Sequence, residues 1–212
     1  MHQALLIEDI QLYILNQVEQ KSDLSALART CQAFTQVALD VLWRDLDCFI
    51  RLIQCMPPDL WSPQAVTEDT LCRPISSSDW TIFHKYSRRV HSIKLPFKDS
   101  TPITIDDSLM LALCTPPAPT PLLPNLTSLE WPIQSDAYLI ALRRLVSSPL
   151  MSLRLVFSDA PSPSLHPEST LQIPFQKICP SLRDLAVEQG EAIYPPKILE
   201  ELKQSISQSE RS

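Results

Sequence analysis

The sequence predicts a mixed α/β chain: a three-helix module at the N-terminus, then a short, irregular solenoid of parallel strands and helices. Three observations carry this. Apolar residues recur at spacings of three and four across the first forty or so positions, the period of a helix that buries one face. From residue 88 onward, four short segments share one arrangement of apolar residues, Φ-x-x-Φ-x-Φ. Helical patterns fall between the first three of those segments, so strands and helices alternate, which favours parallel pairing.

In the first helix, over residues 4–20, Ile7, Ile10, Ile14 and Val18 form one apolar face, widened by Leu6 and Tyr13. Ser22 is placed to cap a second helix, whose apolar face holds Leu24, Leu27, Ala28 and Cys31. A third covers about Phe34 to Leu42, with Val37, Ala38 and Val41 inward, and Trp43 closes the segment. Residues 48–56 read as a helix stopped by Pro57 and Pro58. Residues 62–78 are polar and rich in Ser and Pro, a loop or linker. Ser78 or Asp79 is suited to cap a helix running to about Ser87.

The four segments are Val90-x-x-Ile93-x-Leu95, Leu126-x-x-Leu129-x-Trp131, Leu150-x-x-Leu153-x-Leu155 and Leu182-x-x-Leu185-x-Val187. The segments read as short strands, and Pro124, Pro149 and Pro180 precede three of them by one or two residues. Helices are expected at about 106–114 and 136–147; in the second, Leu139, Leu142, Leu145 and Val146 line one face. Asp106 and Asp107 suit the N-cap and first turn of the former. The arrangement resembles leucine-rich repeats. The separations Ile93–Leu129, Leu129–Leu153 and Leu153–Leu185 are 36, 24 and 32 residues, so the repeats are irregular and carry insertions such as 158–172. A last amphipathic stretch, 196–206, ends in a polar, frayed tail.

Composition removes several function classes. The chain of 212 residues has 20 prolines and one glycine, Gly190. A phosphate-cradling loop, a dinucleotide-binding turn and a nucleophile elbow all require glycine, so none can be written here. Net charge is −6, and residues 1–50 hold seven acids against three bases, so a helix-turn-helix reading would set an acidic module against phosphate. The basic pairs Arg88–Arg89 and Arg143–Arg144 are expected on solvated helix faces. No nucleic-acid partner is implied. The uncharged run Ser108–Leu129 contains five prolines, which excludes a membrane helix and suggests a helix followed by a surface-hugging loop. Cys31, Cys48, Cys55, Cys72, Cys114 and Cys179 form neither a CxxC nor a disulfide framework, and no signal peptide is visible, so reduced thiols in the cytosol or nucleus are expected. His84 and His91 read as two partly exposed histidines, without metal-ligand spacing. Catalytic residues, cofactors and metals are none by this reading, and the role is binding.

The order of the N-terminal residues is more specific than their period. Leu6-Ile7-Glu8-Asp9-Ile10, then Leu24-Ser25-Ala26-Leu27-Ala28-Arg29-Thr30-Cys31-Gln32-Ala33-Phe34, then Leu42-Trp43-Arg44-Asp45-Leu46 resembles the F-box family, with Ile7 where the family has proline. The likeness is strongest to F-box proteins of mushroom-forming fungi, which carry irregular leucine-rich repeats after the F-box. The resemblance implies a three-helix module that docks on the Skp adaptor, and through it on cullin, in a ubiquitin ligase. The repeat region would hold an unidentified protein substrate. The expected adaptor contacts are Leu6, Ile7, Ile10, Ile14, Leu24, Leu27, Cys31 and Trp43, some of which must instead serve the module's own small core. The implied organisation is F-box 1–47, helix and linker 48–78, repeat region 79–190, and C-terminal helix and tail 191–212. A truncated receptor, or a scaffold that uses the same module outside a ligase, is the alternative expectation.

Overall fold

The computed structural model describes residue 3 and residues 7–60, 71–95, 105–116, 121–147, 149–157 and 179–189. Leu6, most of the 62–78 linker, the 158–172 insertion and the 196–206 helix therefore lie outside the described residues.

The chain is mixed α/β, with seven helices and one parallel sheet of five strands among the described residues. Three helices come first: α1 (Glu8–Leu15), α2 (Lys21–Thr30) and α3 (Gln32–Arg44). Both α1 and α2 pack on α3. Leu15, Leu24, Val37 and Ala38 form their common core, with Val18, Leu27, Ala28, Phe34, Val41 and Leu42 packed around it. Ser22 is not the cap of α2. That helix starts at Lys21 after Gln20, with no side-chain hydrogen bond at the cap.

Strand β1 (Asp45–Leu46) follows α3 without a break. After it come α4 (Ile50–Ile53), a 3-10 turn at Pro58–Leu60, α5 (Ser77–Ser87), β2 (Ser92–Ile93), α6 (Asp107–Leu113), β3 (Ser128–Ile133), α7 (Asp136–Leu145), β4 (Ser152–Phe157) and β5 (Asp184–Gln189). The helix expected over 48–56 is thus a single turn. The α5 cap is Ser76, two residues before the predicted position: its hydroxyl accepts from the Asp79 N–H and the Asp79 carboxylate accepts from the Ser76 N–H, a reciprocal capping box.

The strands lie in chain order, each parallel to the next. Leu46, Ile93, Leu129, Leu153 and Leu185 stand side by side in one row, so uneven sequence separations still place the apolar triplets in register. Strands β3, β4 and β5 enter in the same way. The carbonyl of His91 accepts from the N–H groups of Thr127 and Ser128, that of Thr127 from Met151 and Ser152, and that of Met151 from Arg183 and Asp184. Pro132 is tolerated inside β3 because the N–H groups of even-numbered β3 residues face β2, and that pairing stops at Leu129.

Alternation along β3 and β4 sends Leu129, Trp131, Ile133, Leu153, Leu155 and Phe157 inward, into the main hydrophobic core, where α7 packs on β3. Trp131 is anchored there: its indole N–H donates to the Tyr138 carbonyl at 3.0 Å, and its ring meets the edge of Phe49 at 5.4 Å. The Tyr138 hydroxyl accepts from the Ile105 N–H (3.0 Å) and donates to the Ile105 carbonyl (3.1 Å), which ties α7 to the chain entering α6. As expected, Asp106 caps α6, accepting from the Ser108 N–H at 3.0 Å. The described part of the uncharged run after α6 is buried where it is apolar, at Leu122, Leu123 and Leu126. No helix among the described residues is long and apolar enough to cross a membrane.

The expectation for the basic pairs is overturned at one residue. Arg89 does not lie on a solvated face but is buried, 6% exposed, with its guanidinium turned into α3. Arg88, Arg143 and Arg144 are exposed.

Candidate functional site

The three-helix module carries the largest group of exposed apolar side chains among the described residues. Ile7, Ile10, Tyr13 and Ile14 are 51, 36, 72 and 41% exposed, and Leu12 is close to them at 37%. The helical period explains the set. At ~100° per residue, Ile7, Ile10, Tyr13 and Ile14 fall within an arc of roughly 120° along one side of α1. Gln11 and Leu15 are the buried residues of α1, and they occupy the adjoining arc, against α3. The apolar stripe of the first helix thus faces outward, and the helix is held to its module by the other edge. Glu8 and Asp9 fill its first turn, where acidic groups complement the helix dipole.

The eight candidate residues separate into three groups. Leu6 lies outside the described residues. Ile7, Ile10 and Ile14 belong to the exposed arc, and Leu27 and Cys31 are half-buried on α2 and at its end. Leu24 and Trp43 are turned away from the arc: Leu24 is 4% exposed in the module's core, and the partly buried Trp43 packs on the sheet side with its ring 4.7 Å from that of Tyr86. Tyr13, noted only as widening the stripe, is its most exposed member.

A second surface is the open face of the sheet. Between the inward residues, Ser128, Glu130, Ser152, Arg154, Asp184, Ala186 and Glu188 face away from the helices and line a shallow depression of about 640 Å3. Arg154 is central, pairing with Glu130 at 3.4 Å and with Glu188. Glu188 and then Glu130 favour its charged form and raise its pKa further. Glu130 also accepts from the Leu95 N–H at 3.1 Å, beyond the end of β2. Glu130, Arg154 and Ala186 hold the x of each Φ-x-Φ pair, a position that strand alternation turns away from the core.

The chemistry-bearing side chains elsewhere are held in structural roles. Cys55, Cys114 and Cys179 are pushed up to about 12, 11 and 11 by burial, and Cys48 is raised for the same reason, so these four are poor thiolate sources. All six cysteines are free thiols. His84 stacks on Trp80 at 5.8 Å, and burial lowers its pKa; His91 is exposed beside β2. Among the described residues no cluster of three or more His, Cys, Asp or Glu could hold a metal ion. No protein-family model matches the chain, and neither the curated proteins nor the solved structures contain a significant match to it.

Proposed function

We propose that the chain is a substrate-receptor subunit of a Skp–cullin–F-box ubiquitin ligase, working in the cytosol or nucleus. The N-terminal module docks on the Skp adaptor, and a sheet built from irregular leucine-rich repeats presents its open face to a protein substrate. The carrying observation is the outward arc of Ile7, Ile10, Tyr13 and Ile14, on a three-helix module whose residue order resembles the F-box. Apolar side chains clustered on one small module are the ordinary mark of a protein-binding surface. Leu27 and Cys31, half-buried, extend the adaptor contact; Leu24 and Trp43 support it from within. The parallel, in-register rows of apolar residues support the repeat reading of the sheet.

Co-expression with a Skp adaptor followed by pull-down tests the proposal. The wild-type chain should form a stoichiometric complex. Ile10→Arg and Ile14→Arg should each weaken it by about 2 kcal/mol or more, roughly 30-fold, because a guanidinium would be buried without a partner. A wild-type chain that is monomeric and ignores the adaptor at micromolar concentrations would overturn the proposal. Leu27→Arg is a poorer probe, since Leu27 also packs on the module's core.

A further inference from the structure

We infer that Arg89 is a positioning residue that locks the three-helix module onto the sheet, so that the α1 arc and the open sheet face keep one fixed relation. Four contacts tie α3 to the sheet among the described residues, and the exposed Lys21 Nζ on α2 also donates to the Asp45 carbonyl at 3.3 Å. Helix α3 runs straight into β1, and β1 pairs with β2 at Asp45–Ser92 and Leu46–Ile93, leaving no linker. The His91 N–H donates to the Arg44 carbonyl at 2.9 Å. Trp43 packs on Tyr86. From the residue next to Val90, the Arg89 guanidinium then reaches back to α3: Nη1 donates to the Gln36 carbonyl at 3.2 Å and to the Asp40 carboxylate, and Nη2 donates to Gln36 Oε1 at 2.6 Å.

The first three contacts hold the end of α3. Among the described residues, Arg89 is the sheet-side group that hydrogen-bonds one and two turns further back, at Asp40 and Gln36, and so fixes the angle at which the helix leaves the sheet. Its energetics fit that role. A buried cation is costly to desolvate, and an apolar side chain of similar volume often serves stability as well. Arg89 Nε, moreover, has no hydrogen-bond partner among the described residues. What the guanidinium adds over an apolar residue is direction, three donor contacts to defined oxygens on one helix face. The geometric claim stands without the ligase reading; only its use, holding a substrate at a set distance from the adaptor, rests on it.

The test is a pair of distance distributions from pulsed electron–electron resonance on the full chain, with spin labels attached to p-acetylphenylalanine because the chain has free thiols. One pair spans the joint, from Arg29 on α2 to Ala186 on β5; the control pair, Arg88 and Ala186, lies on the sheet side. All three positions are exposed. The wild type should give one narrow distribution for each pair. Arg89→Leu should broaden or shift the spanning pair and leave the control pair narrow, and Arg89→Lys should restore it in part. A narrow spanning pair in Arg89→Leu overturns the inference, and so does equal broadening of both pairs, which would make Arg89 a plain stability residue. Should Arg89→Leu fail to fold, the double substitution Gln36→Ala with Asp40→Ala removes the two side-chain acceptors and leaves only the Gln36 backbone carbonyl, at a site where the Asp40 side chain is 48% accessible, and the same outcomes apply.

Discussion

Asp79 accepts four hydrogen bonds: from the Ser76 N–H and hydroxyl, both at 2.7 Å, and from Arg73 Nη1 and Nη2 at 2.6 and 3.2 Å. Arg73 also binds Asp59 at 2.8 Å, which pins the 3-10 turn to the start of α5. The Arg73 guanidinium, followed by the Ser76 donors, holds the Asp79 carboxyl far below the usual carboxylate range. A depressed folded value means that the stabilisation is complete above the unfolded value of ~3.9 and is lost as pH falls through the folded one. Asp79→Ala should cost about 2 kcal/mol at neutral pH and flatten stability against pH below ~4, measured by urea unfolding. Tyr138→Phe tests a neutral bond pair. It orphans the Ile105 N–H and carbonyl and should cost ~1–3 kcal/mol in the same assay. At the exposed arc the expectation reverses: Ile10→Arg and Ile14→Arg should change stability by no more than about 0.5 kcal/mol while weakening adaptor binding roughly 30-fold.

For the elements, the row Leu46, Ile93, Leu129, Leu153 and Leu185 separates what the sequence made legible from what it hid. Four of its members were visible as apolar triplets, because an inward-facing parallel strand needs apolar residues at alternate positions. Leu46 was not. Its strand is two residues long and closes a helical pattern, and only its pairing with Ser92–Ile93 identifies it. Helix caps misled for a related reason: Ser76, Ser77, Ser78 and Asp79 are all plausible caps in sequence, and the Arg73 contact favours the register in which Asp79 reaches back to Ser76. The outward direction of the α1 stripe was equally hidden, since a period reports that a face is apolar and not what covers it. The row also predicts a gradient. Leu129 and Leu153 are 1% exposed, whereas Leu185 is half-buried at the last described strand. Leu153→Ala should therefore cost about 2–5 kcal/mol and Leu185→Ala clearly less, by thermal or chemical unfolding.

At the scale of the molecule, a module with a small core of its own is continuous with a sheet through β1, Trp43 and Arg89. Some 45 residues bury little apolar surface alone, so α1–α3 gain stability from the joint, and one cooperative unfolding transition is expected for both parts. Among the described residues two faces then remain open, the α1 arc and the Glu130–Arg154–Glu188 face of the sheet. The residue order around Leu24–Phe34 pointed to the first; the second was written in the x positions but its ligand is not, because an acid–base–acid row satisfies itself. The most direct measurement is amide hydrogen exchange of the full chain with and without the Skp adaptor. Slower exchange concentrated in residues 7–15 and around Leu27 and Cys31, with β3–β5 unchanged, is the expected result. Unchanged exchange in α1, or protection centred on the open face of the sheet, would contradict it.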